Sequence, residues 1–215
     1  MNSNLIEYYQ QRAAEYESIY HKPERQQDIA AATTILQKVF TSKQVLEIAC
    51  GTGFWTDKVA EVARTVHATD ISQAVIDIAK RKHYAKANVT FELADFSQYQ
   101  PTQLYDSLFG GFIWSHILLQ ETDTFLATIH RYIIPGGTVI LIDNNYVPGS
   151  NLPVVHTDAH GNTYQRRQLQ DGSTHLVLKN FPSAGYLRSK LEGISCELSV
   201  INLTYYWILV YKTSS

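Results

Sequence analysis

The chain has 215 residues, 45% of them apolar, which is enough for one sizeable core and favours a single domain over residues 1–215. Its net charge of −2 argues against nucleic acid as a partner, because phosphate backbones are bound by basic surfaces. The sequence contains no run of about 18 apolar residues and no basic-then-apolar leader, so we expect no membrane span and a cytoplasmic protein.

Two helices are predicted before the first strand, and together they would form an N-terminal cap over residues 1–40. The first covers residues 5–20, where helical spacing places several aromatic and apolar residues on one side: Ile6, Tyr9, Ala13, Tyr16 and Tyr20. The second covers residues 24–40, just after a proline. Tyrosine joins an apolar ring to a polar hydroxyl, so this face suits either a partly wet site or packing against a sheet.

Strands and helices then alternate as far as residue 142, a pattern typical of a three-layer α/β fold with a doubly wound parallel sheet. The predicted strands cover residues 45–50, 66–69, 89–93, 107–113 and 138–142. The predicted helices cover residues 56–63, 72–83 and 123–132.

The pattern changes after the fifth strand. Residues 151–178 are polar and contain several turn signals, which predicts one or two short hairpins. A helix over residues 182–191 and strands over residues 196–203 and 205–211 complete the chain. Long connections in compact domains often serve function, so we expect the region 143–180 to be an insertion that shapes a substrate site.

The motif that points to a ligand is VLEIACGTGF at residues 45–54, a buried strand that runs into a glycine turn. Asp70 follows Gly51 by about 20 positions, where an acidic side chain can accept both hydroxyls of a ribose. Thr56 stands where a dinucleotide-binding turn would have its third glycine. Glu47 would repel a pyrophosphate but suits an ammonium or sulfonium cation. The turn therefore favours S-adenosylmethionine over NAD, and an NAD-dependent oxidoreductase remains as an alternative.

On these residues the chain resembles the class I S-adenosylmethionine-dependent methyltransferases. The resemblance rests on EIACGTG at 47–53, ATDIS at 68–72 and ADF at 94–96, and it covers residues 45–142. It departs at Ala49, where many members have glycine. The resemblance implies a mainly parallel seven-stranded sheet whose last strand is antiparallel. It also implies S-adenosylmethionine as methyl donor and S-adenosylhomocysteine as product.

The resemblance also implies roles for individual residues. Glu47 would hold the methionine ammonium, Asp70 the ribose and Asp95 the adenine amino group, while Ile71 and Phe96 would pack on the adenine faces. The methionine part would lie along the turn formed by Ala49, Gly51, Thr52 and Gly53. The N-terminal helix would form a lid, with three residues as candidates for contact with the cofactor carboxylate or the acceptor: Tyr9, Arg12 and Tyr16.

The acceptor is expected to be a small molecule methylated on oxygen or nitrogen. His116, beyond the fourth strand, is the candidate general base because imidazole titrates near neutral pH, although a lone histidine after a strand is more often a hydrogen-bonded structural residue. The Asn/Asp-Pro-Pro-aromatic tetrad of enzymes that methylate exocyclic amines of bases is absent there. Arg166 and Arg167 could contact a carboxylate. A non-catalytic protein that binds S-adenosylmethionine also remains open.

Two metal sites were considered, and we predict neither. Asp143 and Asn144 resemble a pair that helps bind magnesium in catechol-type O-methyltransferases, but the further acidic ligand expected after the fourth strand is missing. His156, Asp158 and His160 would share one side of a strand, which a polar hairpin face also explains. The two cysteines form no C-x-x-C pair.

Overall fold

The computed structural model describes residues 13–86, 88–168 and 172–214. Seven strands form the central sheet, in the order β3-β2-β1-β4-β5-β10-β9, and three more form a small separate sheet. The ten strands are β1 Gln44–Ile48, β2 Thr65–Asp70, β3 Val89–Leu93, β4 Tyr105–Gly111, β5 Ile133–Asn144, β6 Val154–Thr157, β7 Thr163–Gln168, β8 Thr174–Leu178, β9 Ser195–Asn202 and β10 Tyr206–Thr213. The α-helices are α1 Gln26–Phe40, α2 Phe54–Ala60, α3 Gln73–Lys80, α4 Thr122–His130 and α5 Ala184–Leu191.

The first five strands run parallel to their neighbours, and β10 is antiparallel to both β5 and β9. This confirms the predicted α/β architecture and the antiparallel last strand. The carboxyl ends of β1 to β5 therefore lie along the same edge of the sheet, which is where open α/β sheets bind their ligands.

The helices cover both faces of this sheet. Val45 belongs to a core cluster with α1 and α2, while the next residue, Leu46, belongs to a cluster with α4 and α5. Successive side chains of a strand point to opposite faces, so both faces of β1 are buried. The near-continuous apolar runs of the sequence follow from this double burial.

The N-terminal segment differs from its prediction. Its described part, Ala13–His21, is a 3₁₀ helix rather than an α-helix. Pro23 lacks the N–H that would continue the helix, and the Gln26 side chain donates to the carbonyls of Tyr20 (2.8 Å) and Lys22 (2.9 Å). Tyr9 and Arg12 lie outside the described residues, as does the side chain of Tyr16.

Strand β5 is longer than predicted, because the Pro-Gly-Gly sequence at 135–137 lies inside it instead of before it. The strand tolerates these residues through an irregular pairing, in which the register of β4 against β5 shifts between Tyr105 and Ser107. Gly136 has a φ of 73°, which a glycine adopts without strain.

The insertion after β5 contains the small antiparallel sheet β6-β7-β8. Its end is fixed to the main domain, because Asn180 donates from its backbone to Ser115 O (2.8 Å) and from its side chain to Ile117 O (2.9 Å). Thr163 accepts the backbone N–H of Lys179 at 2.8 Å. Among the described helices, none has the length and apolar character needed to cross a bilayer.

Candidate active site

The glycine turn follows β1 with an unusual run of left-handed backbone. Ala49, Gly51 and Gly53 have φ values of 53°, 56° and 81°. A Cβ atom on Gly53 would lie 2.5 Å from the Tyr84 hydroxyl, so both the conformation and the space require glycine there. Ala49 adopts the same region despite its Cβ atom, which costs about 1–2 kcal/mol.

Glu47 lies beneath this turn and is 2% exposed. Its Oε2 atom has no hydrogen-bond partner among the described residues. Burial raises the pKa of Glu47 to about 8, and the negative charge of Asp70 adds to the effect, while the Thr56 hydroxyl opposes it. A buried carboxylate with an unpartnered oxygen is costly unless a ligand brings a cation or a donor to it.

Asp70 is held in place at the end of β2 by two backbone N–H groups. Its Oδ2 accepts from Gly51 and its Oδ1 from Ser72, both at 2.9 Å. Burial raises the pKa of Asp70 in spite of these donors, which act in the opposite direction. The carboxylate is therefore oriented between the glycine turn and the start of α3, with lone pairs left for a ligand.

The three predicted adenine contacts follow β2 and β3 on the same edge. Asp95 accepts from the backbone N–H and the hydroxyl of Ser97, at 2.9 and 2.8 Å. The Phe96 ring packs edge-on against Phe125, with 5.6 Å between the ring centroids. Ile71 is half-buried. The structure thus gathers Glu47 and these residues along one edge of the sheet.

Comparison with known proteins supports assignment of the chain to the methyltransferases. A family model described as a methyltransferase domain matches residues 45–137. An uncharacterized methyltransferase of Anoxybacillus flavithermus is 25% identical over 154 residues, which cover 68% of this chain and 70% of that protein. A malonyl-[acyl-carrier protein] O-methyltransferase of Ilyobacter polytropus is 30% identical over 100 residues, covering 45% of this chain and 37% of that protein.

Solved structures extend the similarity to nearly the whole chain. The structure of DhpI in complex with S-adenosylhomocysteine has a TM-score of 0.81 and 26% identity, and the match covers 98% of this chain and 96% of that one. The DhpI-SAM-HEP complex has a TM-score of 0.77, also at 26% identity, and covers 98% and 99%. The chain is a class I S-adenosylmethionine-dependent methyltransferase. Its cofactor is S-adenosylmethionine, and the unpartnered Glu47 oxygen and the glycine turn fit that cationic ligand.

A cavity of this methyltransferase, with a volume of about 480 Å³, opens near the same edge. We call it the acceptor-side pocket. Its walls are the N-terminal 3₁₀ helix with the residues up to Arg25, the ends of β4 and β5 at Phe112 and Asn144, and the insertion. The pocket therefore lies between the two segments that the sequence singled out. Its volume is in the range of ordinary small-molecule sites.

Phe112 forms an aromatic wall of the acceptor-side pocket. Its φ of 59° is rare for a bulky residue, and strained backbone of this kind is concentrated at functional sites. The ring packs against Tyr20, Trp55 and Tyr206, with centroids 5.9, 6.3 and 5.5 Å away. Tyr20 belongs to the N-terminal segment, so these contacts join that segment to the end of β4.

His116 lines the pocket as predicted for a general base, but its chemistry differs from that prediction. Burial, together with the positive charges of Lys179 and Arg167, lowers the pKa of His116 to about 3, although Asp143 opposes the shift. Its Nδ1 lies 2.7 Å from the carbonyl oxygen of Leu178 and must therefore donate. An imidazole that titrates so far below neutral pH is a weak base, and a general base works best with a pKa near the working pH.

Asp143 is not available as a magnesium ligand in the way its resemblance suggested. Its carboxylate is buried and accepts from Lys179 Nζ (2.9 Å), from the Ser115 backbone (2.9 Å) and from the Asn144 backbone (2.7 Å). Burial alone would raise the pKa of Asp143, but the charge of Lys179, the neighbouring His116 and the two backbone hydrogen bonds together lower it. The Lys179 ammonium thus occupies the position beside Asp143 that a magnesium ion would need.

The second metal hypothesis fails on geometry. Strand β6 ends at Thr157, and Asp158 accepts from the backbones of His160 and Asn162, both at 2.9 Å. The Asp158 carboxylate therefore holds a turn, and His156 packs against Tyr164. Among the residues described, no group of three or more His, Cys, Asp or Glu side chains is placed to share a metal ion.

Three residues at the site went unnoticed in the sequence. Glu17 accepts from the Thr52 hydroxyl at 2.6 Å and pairs with Lys82, which sequence reasoning had assigned to the end of a helix. Arg25 and Lys179 both line the acceptor-side pocket. Arg25 lies in a polar stretch where solvent-exposed charges are the usual interpretation, so the sequence offered no signal for its burial.

Proposed function

We propose that this methyltransferase transfers a methyl group to an oxygen of a small-molecule acceptor bound in the acceptor-side pocket. The observation that carries the proposal is the pocket itself, which lies at the carboxyl edge of the sheet beside the cofactor residues. The volume of about 480 Å³ suits a small molecule. The net charge of −2 argues against a nucleic acid acceptor.

Oxygen is favoured over nitrogen by two considerations. The name of the Ilyobacter polytropus relative describes an O-methyltransferase, although that match covers only part of both chains. A protonated amine is disfavoured in a pocket lined by two arginines and two lysines, whereas an oxygen nucleophile is not.

The cofactor residues are proposed to act as the family resemblance implies. Glu47 holds the methionine ammonium, which supplies the cation that its buried oxygen lacks. Asp70 accepts the ribose hydroxyls, and Asp95, Ile71 and Phe96 bind the adenine. The glycine turn lets the methionine part approach the backbone closely. Bound S-adenosylmethionine supplies an electrophilic methyl group on a sulfonium.

The remaining residues of the site are proposed to align the acceptor and exclude water, which is most of what an in-line methyl transfer requires of a protein. Phe112 closes the pocket on its aromatic side, and Tyr20 packs against the Phe112 ring. Asn144 and the insertion close it on the polar side. The protein therefore contributes the alignment of the acceptor with the methyl group and the exclusion of water.

The proposal is tested by a turnover screen that measures S-adenosylhomocysteine formation with small alcohols, amines and acids. Asp70→Ala should weaken S-adenosylhomocysteine binding by at least tenfold, whereas Asp77→Ala on α3, an exposed acidic residue, should leave it unchanged. Asn144→Ala should raise KM for the acceptor without changing cofactor affinity. Methylation of amines alone, or an Asn144→Ala variant with an unchanged KM, would contradict the proposal.

A further inference from the structure

The acceptor-side pocket is lined by four basic side chains from three separate parts of the chain. Lys22, Arg25, Arg167 and Lys179 all line it, and its described lining residues include no carboxylate. Lys179 forms an ion pair with Asp143, in which 2.9 Å separate Nζ from Oδ1. In the described parts of the chain, neither Lys22 nor Arg25 forms an ion pair with a carboxylate.

Arg25 is the most informative of these residues because it is buried, with 4% of its surface exposed. Its Nη1 donates to Asn144 Oδ1 at 3.3 Å and its Nη2 to Ser150 Oγ at 3.0 Å. The guanidinium also lies over the rings of Tyr205 and Tyr206, at 5.4 and 5.6 Å. Its Nε has no hydrogen-bond partner among the described residues.

Burying a guanidinium among neutral groups costs free energy, because the charge loses its hydration water and no counter-ion compensates for that loss. The nearby acidic residue Asp28 forms no ion pair with Arg25 among the described residues, and its carboxylate accepts the backbone N–H of Tyr205 at 2.6 Å. Arg25 therefore has unused capacity for an anion that comes from outside the chain.

The pKa values of two neighbouring groups, Lys179 and His116, reflect the same positive electrostatic field. The pKa of Lys179 is lowered by burial and then by the charges of Arg167 and Arg25, although Asp143 opposes this. The pKa of His116 is lowered by burial and by Lys179 and Arg167. His116 is thus neutral at physiological pH and adds no charge of its own. A field that disfavours cations in this pocket favours an anion there.

We propose that the acceptor binds as an oxyanion, the carboxylate or phosphorus oxyacid of a small molecule, with Arg25 and Arg167 as its recognition residues, and that an anionic oxygen receives the methyl group. This inference rests on the proposed function. Arginine suits the role because its planar fork matches two oxygens of one acid group.

An oxyanion acceptor also accounts for the absence of a suitable base. The anionic oxygen forms a bond to the methyl carbon, the carbon–sulfur bond breaks, and its electron pair returns to sulfur, which becomes a neutral thioether. No proton is transferred, so His116 can remain neutral throughout. The methylated product has lost one negative charge and is held less tightly by Arg25 and Arg167, which favours its release.

The test measures binding to the protein saturated with S-adenosylhomocysteine, by calorimetry and by the shift in melting temperature. The probes are acetate, inorganic phosphate, small alkyl carboxylates, small alkylphosphonates, and the neutral amides and methyl esters of the same skeletons. We expect the oxyanions to bind at least tenfold more tightly than the neutral analogues. The carboxylate and phosphonate arms then decide which acid group the site prefers.

Arg25→Gln and, separately, Arg167→Gln should each weaken oxyanion binding by at least tenfold, while Arg188→Gln, an exposed position on α5, should not. Arg167→Gln and the salt dependence of binding keep the test decisive if Arg25→Gln does not fold. Binding of neutral analogues as tightly as oxyanions, or no detectable oxyanion binding, would overturn the proposal. Turnover of a neutral alcohol in that case would still leave the proposed methyltransferase function standing.

Discussion

The hydroxyl of Thr52, in the glycine turn, donates to the carboxylate of Glu17, in the N-terminal 3₁₀ helix, at 2.6 Å. The same carboxylate pairs with Lys82 beyond α3. One acidic side chain therefore ties the N-terminal segment to the turn that carries the cofactor motif. Order in the segment and order in the turn are coupled through this contact.

Glu17→Ala should weaken S-adenosylhomocysteine binding by roughly three- to tenfold, because the turn loses the acceptor that fixes Thr52. Calorimetric titration measures the effect. Glu61→Ala is the matched control, since Glu61 is exposed and contacts Gln37 instead of the turn. Equal affinities for wild type and Glu17→Ala would show that the contact does not order the turn.

Glu47→Gln should weaken cofactor binding and at the same time stabilise the protein without ligand. Because burial raises the pKa of Glu47 to about 8, its contribution to stability is complete below its unfolded pKa near 4.5 and is lost as pH rises through about 8. A neutral Gln side chain does not lose this stability, so the variant gains up to about 3 kcal/mol in unfolding free energy at pH 7. Thermal unfolding and calorimetry at pH 6 and pH 8 measure the two effects.

The outcome that argues against this role for Glu47 is a variant that is less stable than wild type and binds the cofactor equally well. Glu92→Gln provides a control for removal of a carboxylate, because Glu92 is exposed on β3, where it contacts His67. It should leave cofactor affinity unchanged.

His116→Asn should reduce kcat by less than tenfold, since Asn can still donate to the Leu178 carbonyl and the oxyanion proposal needs no base. A loss of about 10²–10⁴ would instead establish general-base catalysis. Steady-state kinetics across pH 6–9 distinguish the two results.

The same variant carries a signature in stability. Burial lowers the pKa of His116 to about 3, so the unfolded chain takes up a proton below pH 6.5 that the folded chain refuses. Stability from this residue is complete above pH 6.5 and is lost as pH falls, by about 1.4 kcal/mol per unit. Denaturant unfolding of wild type and His116→Asn should therefore converge between pH 6.5 and 4.5, and parallel curves would contradict the assigned burial.

Asp143→Asn should destabilise the fold by about 3–5 kcal/mol, because it leaves the Lys179 ammonium buried without its counter-ion. The double variant Asp143→Asn, Lys179→Met should lose less than the sum of the two single variants, which denaturant unfolding can measure. Lys190→Met, which removes an exposed pair with Asp123, should change stability by less than about 1 kcal/mol. Additive losses at Asp143 and Lys179 would show that the pair is not coupled.

The order of strands and helices could be predicted from residues 45–142 because local patterns determine it. A strand buried on both faces must be apolar throughout, as Val45 and Leu46 illustrate, and a glycine turn after it reveals itself by composition alone. The proposed cofactor residues Glu47 and Asp70 could be predicted for the same reason, since the motif fixes their distance along the chain. Only the exact boundaries differed, as at β5, where irregular pairing admits a Pro-Gly-Gly sequence.

The acceptor side could not be predicted in this way, because it is assembled from residues far apart in sequence. Arg25 contacts Asn144 and Ser150 across 119 and 125 positions, and Lys179 reaches Ser115 across 64. No local period or spacing links such partners. Whether a charge is solvated or buried depends on what other segments cover it, and that burial decided the pKa of His116 and the partner of Asp143. The sequence by itself determined the sheet and the cofactor motif, whereas only tertiary packing decided the charge and shape of the pocket beside it.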